Sequence, residues 1–196
     1  MKEKCVENNK KFYKNLFWYK SIFFKNVKFI SKDNSDEEFN NIVNALNIKK
    51  KKDRIKFIYE YCCEKIDSYN KGKNICGFNE KGQCIAQQAA DEKIYKNGCC
   101  RLCRYQNPNG CPTSNIACKL FYCSRVTEKY QVIQFKDLKI FKLFTLRQRI
   151  IIQDDFFTPK EKVLKDLYVG SIVIYVIRMA IRLIINFLNL KKNKFI

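Results

Sequence analysis

Apolar positions along this chain recur mainly at helical spacing. Phe12, Leu16, Tyr19, Phe23, Val27 and Ile30 follow one another at intervals of 4, 3, 4, 4 and 3, which places them on one helix face. Lys14, Ser21, Lys25 and Lys28 fall opposite. A basic, aromatic-rich amphipathic helix of this kind packs on a core or lies in a membrane interface. A second helix begins at SDEEFNNIVNALNI, where Ser35 and Glu38 form a capping-box pattern and Phe39, Ile42, Val43 and Leu46 line one side. The run KKKK at 49–52 reads as an exposed linker. A third helix, DRIKFIYEYCCEKIDSY, carries Ile55, Tyr59, Cys62 and Ile66 on its apolar face. Cys62 is therefore expected in the core, and its neighbour Cys63 points about 100° away.

Between Asn70 and Cys123 this periodicity gives way to turn-forming stretches, NKGKNICGFNEKGQC and YQNPNGCPTSN, around a short Ala-rich helix. From Val126 to Ile152 the apolar residues thicken again. Phe135, Leu138, Phe141 and Thr145 suggest helix there, while the β-branched RIII end is compatible with a strand. Thr158, Pro159 and Glu161 then form a helix start, with Thr158 at the N-cap.

The last apolar run, residues 167–190, is long enough to cross a bilayer core. Its aliphatic residues contribute roughly −4 to −8 kcal/mol to insertion, and two mid-segment arginines at about +2.5 to +3.5 each nearly cancel that. Ser171, Tyr175, Arg178, Arg182 and Asn189 form one narrow polar stripe on this helix. Three arrangements suit such a stripe: spanning beside a polar partner, lying in the headgroup plane with Arg178 and Arg182 toward phosphates, or a core helix whose stripe reaches solvent. Together with Lys191, Lys192 and Lys194, the two arginines are the candidate contacts to a membrane or another anionic partner.

The expected organisation is thus mainly α: a helical body with an irregular, loop-dominated, Cys-rich metal-binding insert. The segments are a basic N-terminal helix (1–34), a helical pair (35–70), the Cys-rich region (71–124), an apolar connector (125–157) and the long C-terminal helix (158–196).

The net charge is +20, with +6 carried by residues 1–34 and +6 by residues 158–196. Such a field attracts anionic surfaces, phospholipid or nucleic acid, although A/T-rich codon usage accounts for part of the lysine excess. Lysines interrupt every apolar run near the amino terminus, so no signal peptide is expected. The expected location is the cytoplasm, free or held at the inner face of the membrane, where thiols stay reduced, which disfavours a disulfide framework.

Eight of the eleven cysteines fall in the loop-rich region: Cys76, Cys84, Cys99, Cys100, Cys103, Cys111, Cys118 and Cys123. Eight thiolates make two sets of four, and four satisfy one tetrahedral zinc ion or one iron–sulfur cluster. The absence of histidine rules out mixed Cys/His zinc fingers and removes the usual general acid–base residue. Only Cys100 and Cys103 form a Cys-x-x-Cys pair, so spacing leaves zinc and iron–sulfur both open. The pattern GCC-x2-C…GC…ACK-x3-C resembles a Cys-rich family of A/T-rich, clostridia-like bacteria and, more loosely, bacterial Cys-cluster proteins described as zinc- or iron-chelating. In this chain the double cysteine precedes the Cys-x-x-Cys spacing instead of following it. The resemblance implies a metal class and supplies no reaction.

Three functions fit these residues: a structural or sensing metal module docking to a membrane or protein partner, an iron–sulfur electron carrier, and a zinc-knuckle nucleic-acid binder. No small-molecule substrate is indicated, and no glycine-rich phosphate loop or serine nucleophile motif is present.

Overall fold

The side-chain amide of Asn47 closes a small sheet that helical spacing alone conceals. The computed structural model describes residues 2–32, 35–73, 114–156 and 158–192. In it β1 (Lys2–Val6) and β2 (Val27–Ser31) pair in parallel, with Lys2 opposite Val27 and Val6 opposite Ser31. Parallel neighbours require a crossover, and α1 (Lys10–Tyr19) supplies it. The single helix expected from Phe12 to Ile30 therefore stops at Tyr19, and a 3-10 turn at Ile22–Phe24 leads into β2.

Tertiary partners explain the switch. On one edge β2 bonds to β1; on the other, Asn47 accepts from the Phe29 N–H and donates to the Phe29 carbonyl, both at 2.8 Å. Lys49 donates to the Val27 carbonyl at 2.6 Å. The sheet buries Phe29, which the helical pattern had skipped, and leaves Phe23 exposed.

Helix α2 (Glu37–Asn47) starts one residue later than its sequence signal implies. Asp36, not Ser35, caps it by accepting the Phe39 N–H at 2.9 Å. Glu38 turns into the core instead of back to the cap, accepting the Ile140 N–H at 3.1 Å and meeting Lys65 at 3.5 Å. Helix α3 (Lys51–Gly72) takes in half of the lysine run expected to be a linker. Lysine is a good helix former, and Asp53 supplies the acidic first turn.

The last part of the Cys-rich region holds a short helix, α4 (Ile116–Lys119), and a second, α5 (Ser124–Lys129), begins at its end. Residues 135–143 form two 3-10 turns, Phe135–Asp137 and Lys139–Leu143, in which Phe135 stacks on Phe141 at 4.2 Å. The β-branched RIII stretch is helical, inside α6 (Leu146–Asp154), because Thr145 and Gln148 form a reciprocal capping box ahead of it. Helix α7 (Lys160–Val169) has Pro159 at its N-cap; Thr158 gives its hydroxyl to Asp155 instead. Gly170, at φ 63°, ends α7 in the left-handed region that glycine tolerates, and α8 (Ile172–Lys192) follows.

The protein is mainly helical, with eight α-helices among the described residues. Buried side chains from all four described stretches join one apolar cluster. Phe39 lies at its centre, fully enclosed and edge-on to Phe12 at 5.0 Å. Its replacement by alanine removes a ring that nothing nearby can refill. Phe39→Ala is expected to lower stability by about 3–5 kcal/mol, measured by urea unfolding; a loss under about 1 kcal/mol would mean that α2 is not packed as described.

Candidate functional site

The Cys-rich region rejoins the body at Ser114, and its point of return is built with unusual care. Ser114 has φ 45°, left-handed for a residue with a side chain. Its carbonyl accepts from the Tyr59 hydroxyl at 3.3 Å and the Cys63 thiol at 3.5 Å. The Tyr59 oxygen in turn accepts the Ile116 N–H at 3.3 Å. Burial raises the Tyr59 phenol well above its ordinary range, so it stays a neutral donor.

Asn115, 1% exposed, does three jobs. Its Oδ1 caps α4 by accepting the Cys118 N–H at 3.0 Å. Its Nδ2 donates to the carbonyls of Asp155 at 2.6 Å and Thr158 at 2.9 Å. Further on, Lys119 pairs with Asp67, the Tyr122 hydroxyl donates to Asn70 at 2.8 Å, and Tyr69 donates to the Gln131 carbonyl at 2.6 Å. The returning chain is thus laid along α3 from Tyr59 to Asn70, about 16 Å of helix at 1.5 Å per residue.

Of the eight candidate ligands, Cys76, Cys84, Cys99, Cys100, Cys103 and Cys111 lie outside the described residues. Cys118, on α4, and Cys123, at the N-cap of α5, are half-buried and belong to no disulfide among the described residues; both lie on the strip that follows α3. Among the described residues no group of three or more Cys, Asp or Glu is placed to hold a metal ion.

Cys62 is wholly enclosed, as its apolar-face position implies. Cys63 was left aside in the sequence reading, yet it touches the return point directly through Ser114. A buried thiol on the opposite flank of a core helix was the available signal. Burial pushes the Cys63 thiol up to about 12, with Lys119 opposing the shift. Cys62 is raised as well, again by burial.

A second polar seam adjoins the first. Asp155 and Asp166 are both buried. Arg178 pairs with Asp166; Arg182 reaches Asp166 at 2.7 Å and Asp155 at 3.5 Å. The stripe, for which a polar partner beside a span, lipid phosphates and solvent were all open, meets buried carboxylates of the body at Arg178 and Arg182. Two carboxylates withdrawn from water need nearby cations, and α8 supplies them. Burial raises the Asp155 carboxyl, opposed by the Thr158 hydroxyl and by Arg182. Nothing in the spacing of the adjacent acids Asp154 and Asp155 signals that one of them is buried. Lys191 and Lys192 fall in the last turn of α8, and Lys194 lies outside the described residues. No helix among the described residues is long and apolar enough to cross a membrane.

The described residues define a mainly helical body in which residues 114–131 are laid along α3. Comparison with protein-family models, curated proteins and solved structures finds no match to this chain.

Two outcomes are expected from these contacts. In the native protein at pH 8, thiol-reactive dye should label exposed Cys5 promptly and reach Cys62 and Cys63 only on denaturation; prompt labelling of Cys63 would mean that Ser114 is not held there. Because the folded Cys63 titrates above the ordinary value of 9.0, its contribution to stability is full below that pH and fades as pH climbs toward about 12. Separately, Asp166→Asn removes the shared partner of both arginines and should cost roughly 3 kcal/mol. Asp155→Asn retains an acceptor for Thr158 and relieves a charge that burial opposes, so it should cost less than about 1 kcal/mol; urea unfolding of the two variants reads the difference.

Proposed function

We propose that this chain is a thiolate metal-binding protein in which the Cys-rich region, residues 76–123, forms an irregular insert holding zinc or an iron–sulfur cluster, with a structural or sensing role. The observation that carries this reading is the anchoring of Ser114 and Asn115. The chain on the far side of the thiol-rich stretch is fixed by Tyr59, Cys63, Asp155 and Thr158. Two of the eight thiols, Cys118 and Cys123, consequently sit half-buried on a strip whose start is held to the body by hydrogen bonds. A metal that gathers the other thiols onto that strip contributes folding energy directly, since four thiolates need no partner beyond the ion.

Such a centre suits structure or sensing better than turnover. The chain has no histidine, and the described thiols nearest the strip, Cys62 and Cys63, are held protonated by burial. Gain or loss of metal would act through the Tyr59–Ser114 contact on α3, the longest element of the body.

Anaerobic purification with zinc, iron and labile sulfide quantified on one sample tests the reading. One or two metal centres per chain are expected, with Cys118→Ser and Cys123→Ser each lowering the metal content. Chelation should open residues 74–113 to protease while the helical signal of the body persists. A folded, metal-free protein, or one whose cysteines are paired as disulfides, would sink the proposal.

A further inference from the structure

Turning the arginines of α8 inward leaves a helix with its polar side occupied and its apolar side bare. Every exposed residue between Val173 and Ile185 is aliphatic, and Val173, Ile177, Ile181 and Ile184 are each at least half exposed. At 100° per residue these positions sweep roughly 200° of the helix circumference over about 18 Å of length. Surface helices ordinarily show the reverse arrangement. The ridge begins beside Val169 and Gly170, which line a groove of about 390 Å³ with Leu146. Leu146, 66% exposed, also lines a second groove of about 610 Å³ that contains Phe17, itself 73% exposed and next to exposed Trp18.

The two grooves carry one sign of charge. Lys51 and Arg147 line the first; Lys14, Lys20, Lys142 and Arg149 line the second. No carboxylate is among the described residues lining either groove, and none of these six cations pairs with a described carboxylate. Lys20 and Lys51 reach only backbone carbonyls, of Leu143 at 2.9 Å and Tyr168 at 3.1 Å.

We propose that this surface docks onto an anionic phospholipid bilayer, the aliphatic face of α8 lying in the plane of the interface and the cations of the two grooves meeting lipid phosphates. Two features favour lipid over a protein partner. Protein interfaces are on average no more apolar than the rest of a surface and carry a polar rim, whereas the exposed residues of α8 from Val173 to Ile185 are all aliphatic. An aliphatic ridge, exposed Trp and Phe, and cations that no described carboxylate neutralises are the two kinds of signal that an interfacial anchor combines. The arrangement also reverses the expectation that Arg178 and Arg182 contact phosphates: they hold the helix to the body, and other cations face the lipid. This inference stands independently of the metal.

Co-sedimentation of the full chain with phosphatidylcholine vesicles, with and without phosphatidylserine, tests it. Binding should appear with the anionic vesicles, be weak with the neutral ones, and fall as salt is raised. The double variant Ile177→Asp/Ile181→Asp should lower partition by roughly tenfold or more, and Lys142→Glu/Arg147→Glu by roughly tenfold. All four positions are exposed, so folding is expected to survive, with circular dichroism as the control. Failure of the wild-type chain to sediment, or undiminished binding by both double variants, would overturn the proposal. A dimer broken by Ile177→Asp/Ile181→Asp without any vesicle binding would assign the ridge to a second copy. Binding that the Ile variants spare and an oligonucleotide displaces would assign the cations to nucleic acid.

Discussion

Much of the structure hangs on one buried amide. Asn115 is closed off from solvent, and every polar atom of its side chain is matched: Oδ1 to the start of α4, Nδ2 to two carbonyls between α6 and α7. A buried amide left unpaired would be expensive, so these three segments are bound to adopt one relative placement. Through Ser114 and Tyr59 the same point is tied to α3. The strip bearing Cys118 and Cys123 inherits its position from this junction and not from any preference of its own short helices.

The neighbouring acid–arginine seam extends the same logic. Asp155 and Asp166 are withdrawn from water by the packing of α6 against α7, and α8 is recruited to neutralise them. With the guanidinium groups engaged by these carboxylates, the exposed residues of α8 between Val173 and Ile185 are all aliphatic. The bare ridge is therefore a consequence of the buried charges. A helix whose polar side is consumed by its own protein cannot hide its apolar side as well.

Burial also sorts the thiols. Cys62 and Cys63, one wholly and one largely enclosed on α3, are kept protonated and serve packing and a carbonyl contact. Cys118 and Cys123 remain partly accessible on the strip beyond. The described thiols thus differ by location, enclosed on α3 and half-buried on the segment that bears Cys118 and Cys123.

Local pattern by itself determined the helices whose apolar face matches their final burial. Phe39, Ile42 and Leu46 of α2, Ile55, Tyr59, Cys62 and Ile66 of α3, and the narrow polar stripe of α8 were all legible, because 3.6-residue periodicity is a property of neighbours along the chain. The concentration of cysteines in one loop-rich stretch was equally plain. Tertiary structure decided what that periodicity cannot encode. Residues 27–30 fit a helix by spacing and became a strand because β1 and Asn47 were there to satisfy their backbone. Glu38 left the capping role its local signal assigned for a backbone N–H far away in sequence, and Thr158 left the N-cap for a carboxylate that burial had placed beside it. The direction in which the α8 stripe points depended on Asp155 and Asp166, up to 27 residues distant. Spacing identifies a face; only the charges and backbone groups brought opposite it decide whether that face meets water, protein or lipid.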